Sequence, residues 1–161
     1  MAAAVLKTRI LAGLADLLQP LGFRRRGQIF DRPSSDVVHL IGFQSSQTGT
    51  AQLARVTLNL GIWVPALSDR EARSSVWDAH WHERLGHLTD HQADQWWEVS
   101  NDASAAATTH EICSQLLLFG IPALEKIPDS TALLAVWDAG MSPGLTKLQR
   151  ERYKVALRGT V

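Results

Sequence analysis

The sequence predicts an α+β fold: a mostly antiparallel sheet of about five strands, with an N-terminal helix and C-terminal helices packed on one face. Three observations lead there. Val56, Leu58, Leu60 and Ile62 alternate with Arg55, Thr57 and Asn59, the period-two pattern of a strand with one dry face. Leu6, Ile10, Leu14, Leu17, Leu18 and Leu21 recur at three- and four-residue spacing, which makes one apolar stripe on a helix. From Asn101 onward the pattern turns helical, with no further alternation.

The first helix should end at Pro20 and Gly22, because proline disfavours the helical state of Gln19 and glycine accepts the turn that follows. Phe23 to Pro33, with Arg24, Arg25 and Arg26 between apolar ends, reads as a bent edge strand, and Ser34-Ser35-Asp36 turns the chain. Residues 37–43 and 54–63 form the central strand pair, and the small and polar loop 44–50, containing Gly49, makes them a hairpin. The polar stretch 66–75 is expected to be a loop with one helical turn after Ser68 or Asp69. Trp77 to His87 alternates well enough to predict a third long strand. Gln95 to Val99 predicts a closing strand whose adjacent Trp96 and Trp97 must face opposite sides.

Asn101 or Asp102 caps the next helix, Ala105, Thr109, Ile112, Cys113, Leu116 and Leu117 make its stripe, and Gly120 stands where a left-handed end residue belongs. A short helix follows over Thr131 to Trp137, and Ser142-Pro143 opens a last one that runs to about Arg158. The 161 residues suffice for one domain, spanning 1–161, with a single core that buries roughly 70% of the unfolded chain's surface.

Lys plus Arg and Asp plus Glu both total 16, so the chain has no bulk attraction for nucleic acid or anionic lipid. The three arginines alternate faces along their strand, so no nucleic-acid partner is expected. Lys7, Arg9 and Asp16 interrupt the apolar start, which argues against a membrane span or leader and for a cytoplasmic protein. Cys113 stands alone, which excludes an internal disulfide and a multi-cysteine zinc site within one chain.

Several short motifs occur in a suggestive order: Leu17-Leu18, Gly22-Phe23-Arg24, Phe30, Gln44, Asn59-Leu60-Gly61, Arg84-Leu85-Gly86 and Trp96-Trp97. In these the chain resembles the bacterial domain of unknown function 4304 family, over about residues 6–127 by pattern reading. Residues 128–161 then form a helical C-terminal extension. The resemblance implies a fold and carries no activity with it.

Two functional readings follow from the residues. The first is a binding or protein-interaction module, with no cofactor, that presents the sheet's open polar face to an unknown protein or small-molecule ligand. Its surface would be Arg55, Thr57, Asn59, His80, His82, Arg84 and Trp97, since tryptophan and arginine are enriched at binding anchors. The second is a metal-dependent hydrolase. Four of the six histidines fall at 80–91, and His80 and His82 share strand parity. With His87, His91 and Asp94 they could supply nitrogen and oxygen ligands to zinc. No helical His-Glu-x-x-His pattern, Gly-x-Ser-x-Gly turn or phosphate-cradling glycine loop supports an enzyme, so the binding reading is preferred.

Overall fold

In the computed structural model, which describes residues 2–68 and 75–159, the alternating segments form one antiparallel sheet. Strands β1 (Arg24–Arg26), β2 (Ile29–Ser34), β3 (Val37–Ser45) and β4 (Ala54–Trp63) lie side by side in chain order. The far edge of β4 is shared: β5 (Trp81–Arg84) pairs along Asn59 to Ile62, and β6 (Trp97–Val99) along Ala54 to Val56.

The register places Phe43 opposite Leu58, Ile41 opposite Leu60 and Val56 opposite Trp97, so these side chains share the face that the helices cover. Helix α1 (Ala3–Leu18) delivers Leu6, Ile10, Leu14 and Leu18 to it, all with no exposed surface. Helix α3 (Asp102–Gln115) packs beside α1 and adds Ala105 and Ile112 to the same core. Asn101 and Ser104 form a reciprocal capping box at the start of α3, so the predicted cap is Asn101.

Four sequence expectations change. Phe23 to Pro33 is not one bent strand: β1 pairs antiparallel with β2 in a hairpin that turns at the left-handed Gly27. Trp77 to His87 is not one strand: Val76–Asp78 is a 3-10 turn, β5 covers four residues, and α2 (Leu85–Leu88) follows at once. The break arises because Val76 and Ala79 turn down onto the sheet with Leu40, leaving Trp77 57% exposed. Gly120 is right-handed, and the chain runs through a π-helical stretch, Leu116–Gly120, into α4 (Ile121–Glu125). Pro122 sits in the first turn of α4, just after that π-helical stretch. Gly120 instead fills a tight space, since a Cβ would lie 3.2 Å from both Leu60 and Leu85 side chains.

The last helix also starts later than Ser142-Pro143. It is α6 (Lys147–Arg158), opened by a capping box between Thr146 and Gln149, while Pro143 accepts a backbone hydrogen bond from His82. Together with α5 (Ser130–Asp138), capped by Asp129, it reaches the main core through Leu133, Trp137 and Leu157. Finally, Pro65–Leu67 is a 3-10 turn, and the helical turn expected after Ser68 or Asp69 lies outside the described residues. Among the described residues, no helix is long and apolar enough to cross a membrane.

Candidate functional site

Antiparallel pairing of Gln44 with Thr57, Gly42 with Asn59 and Asn59 with Arg84 puts these residues on the face away from the helices. That face is less open than its polar pattern suggests. Val76 and Ala79 lie directly on it because Gly42 and Gly61 lack side chains: a Cβ at Gly42 would be 2.6 Å from Val76, and one at Gly61 2.8 Å from Ala79. Thr57 donates to the Gln95 carbonyl at 2.6 Å, so the segment before β6 covers it. Thr57 and Asn59 are buried, at 0% and 2% exposure, and His80, which meets Val64 and Tyr153, is 4% exposed. Trp97 is buried as well and belongs to the helix side, opposite Val56. The outward member of the tryptophan pair is Trp96.

Across this face runs one connected polar ladder. Asn59 Nδ2 donates to Gln44 Oε1 at 2.9 Å, and Arg84 Nε donates to Asn59 Oδ1 at 3.3 Å. Arg84 then grips both oxygens of Asp94, at 2.8 and 2.7 Å, and the Trp96 indole N–H donates to the same carboxylate at 3.2 Å. The Arg84 guanidinium lies 5.3 Å from the Trp96 ring centroid and Arg55 lies 5.7 Å from it, so the indole is flanked by two cations. Burial raises the Asp94 carboxyl, but the Arg84 and Trp96 hydrogen bonds and the charges of Arg84 and His87 hold it below the usual range. Asp94 is therefore an ionised anchor for Arg84 and a poor proton donor.

The histidines of the 80–91 window are dispersed over separate tasks. His80 precedes β5; its Nδ1 accepts the Val64 N–H at 3.0 Å, and its ring meets Tyr153 of α6 edge-on at 4.9 Å. His82 packs edge-on against Trp77, with its Nε2 buried and unpartnered among the described residues. His87 Nδ1 donates to Glu83 at 3.0 Å, and His91 lies exposed in a turn. Among the described residues, no three His, Cys, Asp or Glu side chains gather as metal ligands. Cys113 is half-buried on α3, and burial pushes its thiol up, away from the thiolate a nucleophile needs.

Burial lowers His80 from the ordinary 6.5 to about 4. The folded chain thus keeps it neutral where the unfolded chain takes up a proton. The stability this gives is complete above about pH 6.5 and is lost as pH falls towards 4, a loss on the order of 3 kcal/mol. Burial lowers His39 and His82 in the same direction. Denaturant titrations at pH 7 and pH 4 should show the parent losing more stability between them than His80→Ala does; equal losses would contradict the assignment.

Sequence reasoning missed His39, which sits in β3 on the core side, 2% exposed. Its Nε2 donates to the Ile127 carbonyl at 2.9 Å, and its Nδ1 accepts from Arg32 at 3.3 Å. Its parity with Val37, Ile41 and Phe43 was the available signal. It also missed Trp77 and the groove beside the ladder, about 440 Å³, lined by Trp77, Gln28, Gln44, Asn59, Arg26 and Ser75.

The sequence pattern of the family described as "Domain of unknown function (DUF4304)" matches residues 14–126. The chain belongs to the DUF4304 family. No curated protein and no solved structure matches it. The DUF4304 region contains the whole sheet and every ladder residue, while α5 and α6 lie beyond it. Gln44, Asn59, Arg84 and Trp96, which carried the family resemblance from four separate stretches, are thus neighbours in space.

Proposed function

We propose that this DUF4304 chain is a non-catalytic binding module that holds a protein or small-molecule ligand against the outer face of its sheet. The single observation behind this reading is the ladder from Gln44 through Asn59, Arg84 and Asp94 to Trp96, with a groove of ligand size beside it. Its charged members saturate one another, which suits recognition better than proton transfer. Arg84 and Trp96 are residue types that anchor interfaces. The cytoplasm is the compartment we propose, as a reducing environment suits a chain whose one cysteine, Cys113, is a thiol.

Fragment titration of isotope-labelled protein, followed by NMR, tests the reading. The side-chain amide signals of Gln28, Gln44 and Asn59 and the indole signals of Trp77 and Trp96 should shift together for the fragments that bind. Arg84→Met should abolish or redirect those shifts while the chain remains folded. Shifts confined to the groove between α1 and α3, at Arg9, Thr109 and His110, would place the site elsewhere and refute the proposal.

A further inference from the structure

The groove next to the ladder brings three different chemistries to one cavity of about 440 Å³. Trp77 lines one side with more than half of its surface exposed, and His82 meets its ring edge-on at 4.9 Å and 74°, which restrains the indole without covering it. Gln28, Gln44 and Asn59 supply carboxamides. Asn59 is committed, donating to Gln44 and accepting from Arg84, and this orients the Gln44 amide: its oxygen is occupied and its NH2 group is the end left to donate. Arg26 forms another part of the lining, with its Nε edge held by Asp31.

Two carboxylates near these groups are held in ion pairs. Asp31 is paired with Arg24 and Arg26, and Asp94 with Arg84. Among the described lining residues none carries a carboxylate that a cationic ligand could meet. The cavity offers a flat aromatic surface, the Gln28 carboxamide to match adjacent donor and acceptor atoms, the Gln44 NH2 as a further donor, and a guanidinium. A flat nitrogen heterocycle stacks on an exposed indole whatever its sequence context. A carboxamide pairs with the neighbouring donor and acceptor on the edge of adenine, and a guanidinium suits a phosphate.

Resting on the binding reading above, we propose that this groove is a site for an adenine mononucleotide. The base lies on Trp77 and is read by Gln28 and Gln44, and the phosphate meets Arg26.

Calorimetric titration of the full chain with AMP, GMP, CMP and UMP, and with adenosine and inorganic phosphate as controls, tests this. The expected result is saturable one-site binding that is tightest for AMP, with adenosine at least tenfold weaker. Trp77→Ala should weaken AMP binding at least tenfold with an unchanged thermal midpoint, because the side chain is exposed. Gln28→Ala should reduce the preference for AMP over UMP, and so provides a second variant should Arg26→Met unfold by stranding Asp31. No binding by any of the four nucleotides, inorganic phosphate binding as tightly as AMP, or AMP binding indifferent to Trp77→Ala would each overturn the proposal. Fragment shifts on the ladder with no nucleotide binding would remove the adenine ligand and keep the binding module; shifts elsewhere would remove both.

Discussion

Leu58→Ala is expected to cost roughly 2 to 5 kcal/mol of folding stability, the range for deleting a buried leucine side chain and leaving part of its volume empty. Leu58 lies at the middle of β4 with no exposed surface. Its cross-strand partner is Phe43, and the face it occupies also carries Val56, Leu60 and Ile62, all fully buried. Strand β3 holds it on one edge, and β5 and β6 pin β4 on either side of it along the other, so the backbone has little freedom to collapse into the space. Denaturant titration should show a lower midpoint with an unchanged slope. A variant as stable as the parent would mean that this face is not the core, and strand parity would then turn over every neighbouring assignment.

Removal of residues 1–21 should be more damaging still, yielding insoluble or molten protein. Leu6, Ile10, Leu14 and Leu18 are all fully buried, and each contributes about 1.5 to 3 kcal/mol by its burial. Four such side chains approach the whole of a domain's usual stability, about 5 to 15 kcal/mol. The deletion would also uncover Ile112 and the β4 leucines and remove the ion pair between Arg9 and Asp102, though an exposed pair of this kind adds little. A soluble truncation that unfolds cooperatively and does not bind a hydrophobic dye would contradict the central place of α1 in the core.

The architecture was legible in the sequence because burial writes a period into the chain. The alternation of β4 and the leucine spacing of α1 each report a face that must stay dry, and both elements stand where their patterns put them. The segment around Trp77 was misread because its alternation has a different origin. Val76 and Ala79 are buried by packing on Gly42 and Gly61, while Trp77 between them points to solvent. A sequence records that residues are apolar, not which surface they meet.

The site was half legible for a related reason. Parity placed Asn59, His82 and Arg84 on the outer face, and register confirms that placement. Parity alone could not say that the segment before β6 would cover Thr57, or that Val64 and Tyr153 of α6 would enclose His80. Nor could it choose between Trp96 and Trp97, since adjacent strand residues always face opposite ways and only the pairing of Trp97 with Val56 decides which is inside. Closeness in sequence is also not convergence: His80, His82 and His87 turn to Val64, Trp77 and Glu83 in turn.

The central claim is that residues from separate strands act as one unit on the outer face, and a double-mutant cycle between Gln44 and Arg84 tests it most directly. These two lie on strands either side of β4 and are joined by hydrogen bonds through Asn59. Unfolding free energies of the parent, Gln44→Met, Arg84→Met and the double variant should give an interaction energy of roughly 0.5 to 3 kcal/mol, carried by the shared Asn59 amide. Losses that simply add, to within about 0.3 kcal/mol, would contradict it, because independent sites behave that way.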